Sequence, residues 1–119
     1  MANPVVHFEI ISRDAKKAQA FYESLFGWKA NADNPMNYGI VDNEGQGING
    51  GIGGTDDGKT WATFYVAVPD PQAALDEAVA MGATVVRPVE TIPGMVTLAM
   101  FSDLDGNIVG VVADEPPAG

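Results

Sequence analysis

Val5–Asp14 reads VVHFEIISRD and Trp61–Asp70 reads WATFYVAVPD. The two stretches are in phase: an aromatic residue in mid-strand, alternating side chains, and an aspartate where a helix can begin. In the first, Val6, Phe8 and Ile10 alternate with His7, Glu9 and Ile11, the period of two that marks a strand with two unlike faces. In the second, Phe64, Val66 and Val68 face one way and Thr63, Tyr65 and Ala67 the other. The alignment sets His7 opposite Thr63.

Working outward, Asp14 opens a helix whose apolar residues Ala18, Phe21, Tyr22, Leu25 and Phe26 fall at i, i+3, i+4, i+7 and i+8, and Gly27 ends it. This phasing predicts that the helix covers Val6, Phe8 and Ile10 and turns His7 and Glu9 to the opposite face. Shorter strands are expected over 28–32, 37–42 and 47–53. In the second copy Asp70-Pro71 starts a helix with Leu75, Ala78 and Val79 as its apolar stripe, and Gly82 stops it. Strands then fit 84–88, 96–102 and 107–113. The Gly- and Asp-rich run 53–59 separates the copies, so one α+β domain over residues 1–119 is expected from two βαβββ modules, 1–54 and 55–119.

The chain has 119 residues, enough for one domain that buries roughly two-thirds of the surface its unfolded form exposes. Without cysteine it has no disulfide, thiolate metal ligand or cysteine nucleophile. Sixteen Asp plus Glu against six Lys plus Arg give a net charge of -10, which argues against nucleic acid as a partner because phosphate binding needs a positive field. Arg13, Lys16 and Lys17 read as a solvated helix face. No secretory leader opens the sequence and no apolar run is long enough for a bilayer, so no membrane partner and a cytoplasmic protein are expected. The tail 114–119 reads as frayed.

Taken together, His7, Asp14, Phe21-Tyr22, Leu25-Phe26-Gly27-Trp28, Phe64 through Val68, Asp70, Gly82-Ala83, Phe101, Asp103 and Asp105-Gly106-Asn107 make the chain resemble the vicinal oxygen chelate superfamily. That group includes glyoxalases, extradiol dioxygenases and fosfomycin- and bleomycin-resistance proteins. The resemblance spans essentially the whole chain and implies paired βαβββ modules whose curved mixed sheet surrounds a central cleft, commonly in a homodimer. It also implies metal ligands on the first and last strand of each module. His7 stands at the first such position, but Thr63 stands at its counterpart. Gly110 occupies the place where relatives carry a glutamate three residues beyond the Asp-Gly-Asn turn. The remaining position falls at Asn49, or at Gly50 or Gly51 if the register slips. One imidazole and one amide do not satisfy zinc, nickel or iron, so no metal and no cofactor are expected.

Two candidates carry chemistry. His7 is either a hydrogen-bonded structural residue or a catalytic one. Glu9, a carboxylate projecting from an apolar strand, must find a partner, water or a cavity; facing an enclosed cleft it is a candidate general base, and otherwise it pairs with His7 or is solvated. Thr63, Tyr65, Tyr38, Asn49, Trp61 and Met95, with Met100, are candidate ligand-binding walls, or core. The run 45–54, GQGINGGIGG, lacks the Lys-Ser or Lys-Thr of a phosphate loop and fits close backbone approach better. Two functions follow: a metal-independent module that binds a small hydrophobic or aromatic molecule, or a small lyase or isomerase using Glu9 or His7 as general base.

Overall fold

A computed structural model describes residues 2–115 of the chain. The expected frayed tail therefore lies, from residue 116 on, outside the described residues. The fold is α+β, and the element order repeats as the sequence predicts. The first module is β1 (Val5–Ser12), α1 (Ala15–Phe26), β2 (Ala30–Asn31), β3 (Gly39–Val41) and β4 (Asn49–Gly54). The second is β5 (Trp61–Val68), α2 (Pro71–Ala80), β6 (Thr84–Ile92), β7 (Val96–Ser102) and β8 (Ile108–Ala113). By compactness the chain divides after Thr63: residues 6–63 form one unit, and residues 64–115 with 2–5 form the other. The first unit thus runs beyond the repeat boundary at residue 54 and takes in the start of β5.

In the first unit the strand order is β2-β3-β4-β1, with β1 and β4 parallel and the other pairs antiparallel. Asp14 caps α1 by accepting from the Lys17 backbone N–H, and Gly27 closes it in a left-handed turn at φ 73°. The helix lies on the Phe8 and Ile10 side, as expected, but Val6, placed under it by sequence, is exposed. Its Gln19 Nε2 donates to the Ile52 carbonyl at 2.8 Å and to the Asn37 carbonyl at 3.2 Å. Gln19 is thereby the buried residue of α1, which corrects the predicted stripe. Ala18 and Tyr22 are half-buried, while Phe21, Leu25 and Phe26 remain 60 %, 58 % and 56 % exposed. One carbonyl of β4 and one of the loop before β3 needed a donor, and a polar side chain at the centre of the helix face supplies it. Trp28, expected in a strand, instead sits in the connection to β2 and joins Phe8, Tyr22 and Phe26 by ring contacts 5.0 to 5.9 Å between centroids.

In the second unit the order is β5-β8-β7-β6. Asp70 caps α2 by accepting from the Gln72 and Ala73 backbone N–H groups, with Pro71 in the first turn. Val68, Leu75, Ala99 and Val111 form the core between α2 and the sheet, flanked by Val66, Ala74, Val89 and Phe101. Val79, placed in the stripe by sequence, is exposed. β6 runs on through Pro88 to Ile92, past the expected end at 88. It is the outer strand of its unit, where a proline costs no ladder bond, and its register shifts on either side of Arg87. The Asp103–Asn107 turn is tied by Asp103, which accepts from Asn107 Nδ2 and from the Asn107 and Asp105 backbone N–H groups. Those bonds hold its carboxyl below the usual carboxylate range, the Asn107 side chain contributing most.

Candidate functional site

β1 presents His7, Glu9 and Ile11 on the face away from α1, and the parallel register sets Asn49, Gly51 and Gly53 of β4 beside them. Gly51 and Gly53 leave a bare strip of backbone. Tyr38, the residue before β3, lays its ring there: a Cβ on Gly51 would overlap the ring, and one on Gly53 would stand 2.8 Å from Cδ1. Asn34 fixes the Tyr38 backbone, accepting from its N–H at 3.0 Å and donating Nδ2 to its carbonyl at 2.8 Å.

So held, the Tyr38 hydroxyl reaches both residues of β1. It lies 2.9 Å from His7 Nε2 and donates to Glu9 Oε1 at 3.1 Å. The other carboxylate oxygen, Oε2, accepts from Trp61 Nε1 at 3.0 Å. Glu9 is 7 % exposed, and these donors are the partners that a carboxylate on an apolar strand requires. His7 and Glu9 point in parallel from one strand, and a hydroxyl from outside the strand links them. Sequence reading had Tyr38 and Trp61 only as walls and had no signal for Asn34. The alternate glycines 51 and 53 on a strand were the one visible hint of a bulky side chain crossing there.

Burial of His7 lowers its pKa below the ordinary value of about 6.5, outweighing the opposite pull of the Glu9 charge. Glu9, through its charge, and Tyr38, through its hydroxyl, both face it. The unfolded chain therefore binds this proton at a higher pH than the folded one. The contribution of His7 to stability is complete above about pH 6.5 and declines as pH falls through that value toward the folded-state pKa. Urea unfolding at pH 7.5 and pH 5.5 should show a loss of stability on acidification that His7→Gln reduces; an identical loss in the variant would remove His7 as its source.

The other sequence candidates are placed as follows. Asn49 sits beside His7 in the register, and its Oδ1 accepts from the Asn43 backbone N–H at 2.7 Å, closing the β3–β4 loop. Thr63 is half-buried on β5. In the second unit Tyr65 is 4 % exposed and pairs with Gly110 of β8, where its ring fills the space a Cβ would need. Met95 is exposed at the β6–β7 turn, and Met100 is core. The structure thus gathers His7, Glu9, Tyr38 and Trp61 by direct bonds, whereas Met95 is exposed at its turn.

The register also settles which positions of the two modules correspond. Glu9 pairs with Gly51 as Tyr65 pairs with Gly110, so Gly51 is the counterpart of Gly110. In both modules a tyrosine ring lies over the last-strand glycine. The donors a divalent metal would need are not there: His7 is bonded to Tyr38, Thr63 is a hydroxyl, and two glycines are covered by rings. Among the described residues no group of three His, Cys, Asp or Glu side chains could hold a metal ion. The residues present do not fit the superfamily's metal.

No helix among the described residues is long and apolar enough to cross a membrane. No curated protein matches the chain. Solved structures match over nearly its full length. A glyoxalase/bleomycin resistance protein/dioxygenase superfamily member from Vibrio splendidus is 18 % identical with TM-score 0.61, covering 95 % of this chain and 100 % of its own. Methylmalonyl-CoA epimerase from Mycobacterium tuberculosis is 14 % identical with TM-score 0.65, covering 94 % and 88 %. A hypothetical protein from Bacillus halodurans is 12 % identical with TM-score 0.66, covering 100 % and 99 %. At such identities the likeness is one of fold. The model of the glyoxalase-like domain matches residues 6–112, and on that match the chain belongs to the glyoxalase-like family of the vicinal oxygen chelate superfamily.

Proposed function

We propose that this protein binds a small hydrophobic or aromatic molecule, without a metal ion, on the face of its first unit that carries Tyr38 and Trp61. The observation that carries this reading is the double anchoring at Glu9: its two oxygens take the polar tips of Tyr38 and Trp61 and so fix two aromatic side chains on one sheet face. Apolar surface with a few placed polar groups is the usual make-up of a small-molecule site, and His7 and Glu9 supply the polar groups. The tyrosine rings over Gly51 and Gly110 support metal independence, since they take up the space from which ligands would project. The test is a titration of a panel of aromatic and carbonyl metabolites, followed by thermal shift and by Trp61 fluorescence in a Trp28→Phe background. Saturable binding that Tyr38→Ala weakens is expected, and a panel without any saturating member defeats the proposal. Elemental analysis should find substoichiometric metal, and one tightly held zinc, nickel, manganese or iron per chain overturns metal independence. The family resemblance and the exposed Phe21, Leu25 and Phe26 support a homodimer, which sedimentation would check.

A second reading, a lyase or isomerase acting on a carbonyl compound, is favoured by the buried Glu9 joined to His7 through one hydroxyl, the arrangement of a proton-transfer group with a partner. A fold neighbour that is an epimerase agrees with it. Glu9→Gln should then lower turnover by roughly 100-fold or more while a neutral ligand still binds. Unchanged turnover removes Glu9 from the chemistry.

A further inference from the structure

The bonds around Glu9 have a direction. An indole N–H only donates, so Glu9 Oε2 is an acceptor from Trp61. The Tyr38 hydroxyl has one hydrogen and gives it to Oε1. What lies 2.9 Å away at His7 Nε2 then meets the hydroxyl oxygen from its lone-pair side, and the hydrogen in that contact must come from the imidazole. We propose that Tyr38 is a positioning residue: it fixes the neutral His7 as the tautomer protonated on Nε2, in a chain that runs from His7 Nε2–H to the Tyr38 hydroxyl and on to the Glu9 carboxylate. The basic lone pair of His7 is thereby confined to Nδ1, and the carboxylate is kept in one rotamer as a pure acceptor. The inference deepens the proton-transfer reading of this site by naming what orients its two titratable groups. Its test concerns the resting protein and does not depend on turnover.

The polarity can be reversed by one substitution. In Glu9→Gln the Trp61 N–H still requires an oxygen, which turns the amide NH2 toward Tyr38. The hydroxyl oxygen then accepts from the amide, and its hydrogen turns to His7 Nε2, which must become the bare nitrogen. His7 is the only histidine in the chain, so labelling with ring-¹⁵N histidine gives one imidazole to assign. Two-bond ¹H–¹⁵N spectra would be taken near pH 8, where the ring is neutral. The wild type should show Nε2–H, Glu9→Gln should show Nδ1–H, and Tyr38→Phe, which keeps the ring on its glycine strip but removes the hydroxyl, should show a mixture. Nδ1–H as the dominant wild-type form overturns the proposal, as does Nε2–H persisting in a folded Glu9→Gln. Should that variant fail to fold, the wild-type tautomer decides, with Tyr38→Phe as the second reading. Loss of turnover in Glu9→Gln with an unreversed tautomer would leave the proton-transfer reading standing and defeat this one.

Discussion

Gly110→Glu lowers the melting temperature by on the order of 10 °C and brings in no metal ion. The position is buried on β8 opposite Tyr65, and even the first carbon of a new side chain would overlap the Tyr65 ring. The ring cannot move aside without leaving its own site in the packed interior, where it is almost wholly covered. A glutamate adds a charge to this crowding. An uncompensated carboxylate inside a protein costs about 3–5 kcal/mol, and the described residues of β5, α2, β7 and β8 include neither Lys nor Arg. The substitution restores the residue that metal-binding relatives are expected to carry, so it asks directly whether ancestry or present packing governs the position. Scanning calorimetry and elemental analysis after zinc or nickel exposure provide the measurement. A variant of wild-type stability that holds one metal per chain would show that the tyrosine is a movable lid over a latent site.

Gly51→Ala should destabilise the protein by about 1–3 kcal/mol, the usual cost of one methyl forced into a filled space. The added carbon would lie inside the Tyr38 ring and against its hydroxyl. Displacing that ring breaks its contacts with Glu9 and His7 together, so the chemistry of the site should fail along with the packing. A double-mutant cycle separates the two. With Tyr38→Ala already in place the methyl has room, and its cost should largely vanish, giving a coupling energy close to the single-mutant effect. Urea unfolding of the four proteins measures this. Additive losses would mean that Gly51 is required for some reason other than the ring.

Much of the architecture could be read before any coordinates. Period-two alternation in 5–14 and 61–70 gave the two first strands and the faces of His7 and Glu9. Asp14 and Asp70-Pro71 gave the helix starts. These signals are local: capping and alternation act over a few residues, so the residues themselves carry them. The α1 stripe differs because hydrophobic spacing cannot show that the Ile52 carbonyl of β4 and the Asn37 carbonyl of the loop before β3 would want Gln19. The strand ends at Ala30, Gly39 and Ile92 were missed because pairing partners set them.

The site divides along the same line. Sequence alone determined that Glu9 needs a partner, water or a cavity, that cysteine chemistry is absent, and that Thr63 and Gly110 are poor ligands, since each of these follows from what a side chain contains. Only the tertiary structure decided that Tyr38 is the link, that Trp61 shares the carboxylate, and that the glycines at 51 and 110 are places for rings. Tyr38 and Trp61 lie 29 and 52 positions from Glu9 along the chain, and no spacing rule joins them. Their meeting depends on the parallel register that sets Glu9 beside Gly51. A shift of one residue would turn Glu9 to the helix side, and the sequence would look the same.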